Sequence, residues 1–415
     1  MKDRSYREHR ARRAAVRLGL GAATAAALGA AGLAPAIAST PPSMTANHGA
    51  VNIAVQGPHN SLRFYWAVNG TTTWHAETVA GRNTTYSAPS MTVNGNVVNI
   101  AAMGPHHRLR FYWAVNGTAT WHSETVAGSN TTYSAPSMTV NDGSVNIAAV
   151  GARNRLKFYW AVNNTPTWHA ETVAGIGSTF STPSMTANNG AVNISAAGPR
   201  HRLKFYWAVN GTTTWHPETV AGIGSTFSAP SMTVNANAVN ISALGPRHRL
   251  KFYWAVNGTA TWHPETVAGV ASSFSAPSMT ANNGAVTISV AGPRNRLKFY
   301  WAVNGTPTWH PETVAGVASS YSAPSMTANN GAVNISLAGP RNRLKFYWAV
   351  NGTTTWHPET VAGIGSTFSA SSMTVNANAV NIAAVGAKDR LKFYWAVNGT
   401  ATWHAETVAG KGSVR

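Results

Sequence analysis

The chain has no cysteine, which excludes the disulfide-stapled scaffolds common among small secreted domains and leaves stability to a packed core. Acidic residues are nearly as scarce: 12 Asp and Glu stand against 31 Lys and Arg, for a net charge of +19 at pH 7. Beyond the first 38 residues the only aspartates are Asp142 and Asp389, each a one-copy substitution in a loop. The other acids there are a single series of glutamates in equivalent positions. Glycoside hydrolysis needs two carboxylates held in different environments, and this chain has no second carboxylate to pair with the first. A phosphate-cradling Gly-rich loop opening a helix is missing, as is any Ser-His-Asp set. The reading is therefore not an enzyme. One His and one Glu per repeat fall short of the three or four ligands a metal needs, so no metal and no cofactor are expected. Nor does any stretch show the 3.6-residue period of an amphipathic helix.

Repetition fills the space left by these lacks. Met44, Met91, Met138, Met185, Met232, Met279, Met326 and Met373 are spaced 47 residues apart, as are Trp66, Trp113, Trp160, Trp207, Trp254, Trp301, Trp348 and Trp395. Copies start near residues 40, 87, 134, 181, 228, 275, 322 and 369. A fixed period of this size marks a solenoid, a propeller or an array.

Residues 1–38 stand outside the repeat. Basic residues crowd between Lys2 and Arg17, an Ala/Gly/Leu run follows, and Ala36-Ile37-Ala38 closes it. That order predicts a secretory signal peptide cleaved near Ala38. The apolar run is short for a spanning helix, so no membrane span is expected. Arg12-Arg13 leaves the Sec and twin-arginine routes both open. The mature protein, residues 39–415, is expected to be secreted and soluble.

Within one copy, β-rich runs alternate with turn signals. In residues 181–227 these are PSMTAN, AVNISAAG, LKFYWAVN and WHPETVAG, with Asn189-Gly190 and Asn210-Gly211 as hairpin signals. Each copy thus predicts a four-stranded antiparallel meander. The second and third strands are apolar on both faces, as blades packed on both sides require. The first and last copies carry the same apolar positions as the rest, where an open stack needs polar caps. The fold class is therefore all-β: a closed β-propeller of eight four-stranded blades, each from contiguous sequence, with no swapped strand. A meander also places the loops after the second and fourth strands on one end. Apart from Arg82, Lys411 and Arg415, the basic residues beyond the leader lie in or just after the loop that follows the second strand.

The repeat resembles bacterial lectin propellers of the Photorhabdus type. The matching elements are SAPSM (87–91), VNIAAMG (98–104), LRFYW (109–113) and the stretch from Trp121 to Gly128. The likeness covers the whole repeat region. Here there are eight copies, Ala-Gly replaces a closing Gly-Gly, and Lys or Arg stands where Asp often precedes the aromatic strand. A looser likeness to fucose-specific fungal propeller lectins lies in a basic residue, a Glu and a Trp in each repeat, such as Lys204, Glu218 and Trp215. Both resemblances imply sugar binding.

Three series are the candidate ligand-binding residues. Trp74, Trp121, Trp168, Trp215, Trp262, Trp309, Trp356 and Trp403 fall on the fourth strand, where an open aromatic face suits the C–H groups of a sugar. The competing reading is packing between blades, since a tryptophan buries ~150–250 Å². Glu77, Glu124, Glu171, Glu218, Glu265, Glu312, Glu359 and Glu406 would accept hydrogen bonds from sugar hydroxyls. Arg63, Arg110, Lys157, Lys204, Lys251, Lys298, Lys345 and Lys392 would donate them. The competing reading is a cross-strand ion pair. A three-residue turn at Asn69-Gly70-Thr71 puts Arg63 opposite Glu77 and Trp66 opposite Trp74; a two-residue turn breaks both pairings, and the sequence leaves the choice open. The expected function is a secreted, multivalent, lectin-like binder of glycans or glycoconjugate surfaces. The alternatives are a charge-driven binder of anionic polymers, through its arginine-rich loops and counterion release, and a structural surface protein.

Overall fold

The computed structural model describes residues 40–415, apart from 69, 163, 164, 166, 304, 330 and 351. The expected signal peptide lies outside the described residues. Those residues form eight four-stranded antiparallel sheets, each from one continuous stretch of chain. In blade one the strands are β1 (Ser43–Asn47), β2 (Ala50–Gly57), β3 (Ser61–Val68) and β4 (His75–Ala80). The other seven blades repeat this order. First strands of successive blades lie beside one another all the way round, the eighth beside the first, so first strands are innermost and fourth strands form the rim. The result is a closed eight-bladed β-propeller built as the repeat implies.

Burial follows from apolar character on both faces. Every residue of β2 is buried, because each blade packs against two neighbours. Between blades one and two the core joins Ala54, Leu62, Phe64 and Val79 to Met91, Val98, Ile100 and Tyr112. The closing seam is of the same kind: Val51, Ile53, Val55 and Tyr65 meet Leu391, Phe393, Val408 and Val414. Backbone bonds complete it. Arg415 N–H donates to Gln56 O at 3.0 Å, as Tyr133 N–H does to Val150 O at 2.7 Å within the ring, and Thr40 N–H donates to Arg415 O at 3.1 Å.

Turn chemistry sorts the two ends of the disc. Asn189 (φ 48°) and Gly190 (φ 73°) join the paired residues Asn188 and Ala191, which is the two-residue primed turn that Asn-Gly favours. At the opposite end, the loop after the second strand bonds to the connection after the fourth: Gly224 N–H donates to Arg200 O and Ser225 N–H to His201 O, both at 2.9 Å. The basic loops and the blade-to-blade connections therefore share one end. Gly198 follows its strand, and a Cβ there would stand 2.7 Å from Lys204 Cγ, so any side chain would push the lysine aside. Among the described residues no helix is long and apolar enough to cross a membrane.

Candidate functional site

The hairpin between the third and fourth strands adopts neither register anticipated from the sequence. In blade one Trp66 lies opposite His75, Phe64 opposite Glu77 and Arg63 opposite Thr78, with a bulge between Leu62 and Arg63. The cause is a longer connection. In blade four Thr212 closes a turn by donating both its N–H (3.1 Å) and its Oγ1–H (2.8 Å) to Val209 O, and pairing resumes only at His216. The competing reading of a cross-strand ion pair, with Arg63 opposite Glu77, is thereby set aside. The basic residue reaches threonine instead, Lys204 Nζ donating to Thr219 Oγ1 at 2.7 Å. Arg63 and Arg110 reach Thr78 and Thr125 in the same way.

One residue of register changes the partners of the glutamate. Phe205, Trp207, His216 and Glu218 now project from the same face of their hairpin. Trp207 Nε1 donates to Glu218 Oε1 at 2.9 Å, while Trp262 of the next blade donates to Oε2 at 2.6 Å. Both carboxylate oxygens thus receive indole N–H groups, one from each side of the seam. The arrangement recurs in all eight seams and includes the closing one, where Glu406 takes Trp395 at 2.9 Å and Trp74 at 2.5 Å. Charge-assisted hydrogen bonds are about twice as strong as neutral ones, so each glutamate is a staple between blades. Trp262 and its equivalents, expected on the fourth strand, lie just before it, since that strand begins at His263. Trp262 also packs edge-on against Phe205, with ring centroids 5.0 Å apart.

The staple leaves aromatic surface facing outward. Trp66 and its equivalents on the third strands are only half-buried. One face of each carries the exposed histidine opposite it, Trp207 and His216 stacking at 4.0 Å. Beside the staple lies an open depression. Between blades two and three it is lined by Phe111, Trp113, Val145, Val162, Thr165 and Trp168, with a volume of about 190 Å³. Its counterpart between blades three and four has Trp160, Asn210, Gly211, Thr212 and Trp215 and about 200 Å³. Those volumes take in open solvent; the space enclosed is only about 10 Å³ in each, room for about one water, so both depressions are shallow.

The basic series approaches the same seams from the other blade. Lys157 and Tyr159 alternate with Phe158 and Trp160 along their strand, and Tyr159 packs on Leu109 and Phe111 of the preceding blade. Lys157 therefore faces the seam that holds Glu124 and Trp168, at the end nearer the basic loops. Burial, and secondarily the charge of Arg155, lowers the lysine's pKa. Lys204, beside Arg202, is lowered for the same two reasons. Among the described residues no three His, Cys, Asp or Glu side chains cluster closely enough to hold a metal ion. Sequence reasoning missed the inter-blade half of the staple, since nothing within one repeat shows that a tryptophan 44 residues downstream meets the glutamate.

No protein-family model matches the chain, and no curated protein matches it by sequence. Solved structures match it by shape. BP39L lectin from Burkholderia pseudomallei is similar with a TM-score of 0.62 over 91% of this chain and 99% of that chain, at 14% identity. A chain from a study of two prolyl endopeptidases is similar with a TM-score of 0.53 over 88% of this chain and 55% of that chain, at 10% identity. A six-bladed fungal lectin, the Aleuria aurantia lectin with its fucose recognition mode, reaches a TM-score of 0.42 at 10% identity, over 67% of this chain and 94% of that one. At these identities the likeness is one of fold. The resemblance to lectin-type propellers holds at that level, and an enzyme shares the architecture.

Proposed function

We propose that this chain is a secreted, multivalent carbohydrate-binding propeller that binds without catalysing, with one shallow site in each seam. The observation that supports the reading is the open depression between two indoles fixed on one carboxylate, as with Trp113, Trp168 and Glu124. Sugar C–H groups would stack on the tryptophan faces. Thr165 and the remaining lone pairs of Glu124 would meet hydroxyls. Lys157, bonded to Thr172 at the basic-loop end of the strand whose other end is Val162, lies outside this depression. A lone site of this depth typically binds in the millimolar range, ~4 kcal/mol; several sites on one surface raise avidity ~10²-fold or more without any new contact. Repetition serves a surface binder in a way it does not serve a single-pocket catalyst.

A glycan array, with immobilised monosaccharides beside it, tests the proposal. Binding should persist at about 0.5 M salt, because stacking and neutral hydrogen bonds are not driven by counterion release. Absence of sugar binding at high protein density would overturn it. Secretion is tested separately by N-terminal sequencing of protein from the culture medium, which should begin just after Ala38.

A further inference from the structure

The end of the disc that carries the basic loops is not uniform. Arg153, Arg200, Arg247, Arg294 and Arg341 are exposed at the tips of five consecutive loops, in blades three to seven. Each has a positive φ, from 56° to 58°, a conformation more usual for Asn or Gly in primed turns. The carbonyl of each is held by the adjoining connection: Gly177, Gly224, Ala271 and Ala318 donate at 2.9 Å and Gly365 at 3.0 Å. The arginines are thus presented on locked turns. A second arginine follows two residues later in every one of these loops, at Arg155, Arg202, Arg249, Arg296 and Arg343.

The residue just before each donating amide is a large apolar side chain left in water. Ile176 is 60% exposed, Ile223 61%, Val270 54%, Val317 56% and Ile364 61%. Phe180, Phe227 and Phe274 are exposed in the same connections. In blades one, two and eight the apolar position holds Arg82, Ser129 and Lys411, and the arginine position holds His59, His106 and Lys388. Both features therefore cover the same five-blade arc and stop together. No acidic residue lies in the arc's loops; Asp389 belongs to blade eight and Asp142 to a turn at the other end.

From this coincidence we propose that the arc is a docking face for an anionic lipid surface, with the Ile and Val side chains entering the headgroup layer while the arginines meet lipid phosphates. Apolar side chains alternating with cations suit the interface of a charged bilayer. A soluble polyanion would satisfy the arginines and gain nothing from isoleucines in water. A rigid end that presents the same patch five times suits a laterally repeating surface better than one protein partner. The face is distinct from the rim seams, so the proposal does not depend on sugar binding.

Co-sedimentation of the full chain with vesicles tests it. The chain should pellet with vesicles of mixed phosphatidylcholine and phosphatidylglycerol and stay in solution with phosphatidylcholine alone. Replacing Ile176, Ile223, Val270, Val317 and Ile364 together by Ser should weaken vesicle binding at least about tenfold, since buried apolar groups and basic residues both contribute at a membrane surface. The same variant should keep its melting temperature and its affinity for dextran sulfate. Replacing Arg153, Arg200, Arg247, Arg294 and Arg341 by Ser should weaken binding to both. The proposal is overturned if the wild-type chain ignores anionic vesicles or binds neutral ones equally. It is also overturned if the apolar variant binds vesicles as the wild type does, which would make the arc a site for soluble polyanions.

Discussion

Trp121 donates its indole N–H to Glu77 of the preceding blade at 2.5 Å, and Trp66 of that preceding blade occupies the other carboxylate oxygen at 2.8 Å. The glutamate is therefore a fixed acceptor between two blades as well as a candidate ligand group. The two roles can be separated. Glu171→Gln keeps one acceptor but turns an amide N–H₂ toward the second indole N–H, stranding a partly buried donor. The expected loss is ~1–3 kcal/mol, read as a drop in urea midpoint. Avid glycan binding should barely change, because seven of the eight seams remain intact. Glu406→Gln should cost more than Glu171→Gln. Its seam joins blade eight to blade one, where no peptide linkage spans the two blades and Thr40 meets Arg415 only through hydrogen bonds. Equal losses would mean that the staples do not hold the ring shut.

A second prediction comes from variation inside the chain. Asn193 is fully buried on its second strand, and neither its amide nitrogen nor its carbonyl oxygen has a hydrogen-bond partner. The equivalent position in blade six is Thr287, whose hydroxyl donates to Thr280 O at 3.1 Å. Asn193→Thr should therefore stabilise the fold, by ~1 kcal/mol for removing an unpaired buried polar group. Thr287→Asn should destabilise it by a similar amount. Chemical denaturation of the two variants checks the sign. A loss on Asn193→Thr would show that the amide is satisfied in solution.

Alkaline pH should open the ring. Burial pushes the phenols of Tyr159, Tyr253 and Tyr394 up to about 12, and raises those of Tyr206, Tyr300 and Tyr347. The unfolded chain loses these protons near pH 10, while the folded chain keeps them. Their contribution is therefore whole below pH 10 and falls away as pH climbs from 10 toward 12. The lowered pKa values of Lys157 and Lys204 act in the opposite sense. Two partly exposed amines do not offset six buried rings, so the melting temperature should fall steeply above pH 10. A flat melting curve from pH 8 to about 11.5 would contradict this.

What could be read from the sequence was what one repeat encodes about itself. The 47-residue period, the Asn189-Gly190 turn and the two-faced apolar strands lead to eight blades in a closed ring. The sharing of one end by the basic loops and the connections follows from a meander. The register of the rim hairpin was not legible, because Asn210-Gly211 suggests a short turn, whereas Thr212 closes the turn over four residues and pairing waits for His216. That one-residue difference moved Lys204 away from Glu218 and brought Trp207 to it. The neighbour's tryptophan was hidden for another reason: copies this alike carry no mark of which blade faces which. The arc of exposed isoleucines lies in the sequence as a departure from sameness, and it gained meaning once the connections were seen beside the arginine loops.

The ring itself carries the last prediction. Each blade covers both faces of its core with its neighbours, and the joint between blades one and eight is apolar like the others, with Val414 buried where the inner seams have Thr or Ser. Deleting residues 181–227 removes one whole repeat and leaves every other hairpin intact. The remaining seven need only close at a different angle, and rings of four to eight blades are all viable. That protein should stay soluble with somewhat reduced stability. Truncation after Arg390 cuts the eighth blade in half. It leaves the strand Ala379–Gly386 without its outer partner and removes Glu406, the acceptor for Trp74. It also strips Phe393, Val408 and Val414 from the surface formed by Val51, Ile53, Val55 and Tyr65. An unpaired edge beside bare apolar surface invites association, so this form should aggregate in size-exclusion chromatography while the seven-repeat protein elutes as a compact species. Equal behaviour of the two would mean that closure contributes little, and that the blades are held by their sequence neighbours alone.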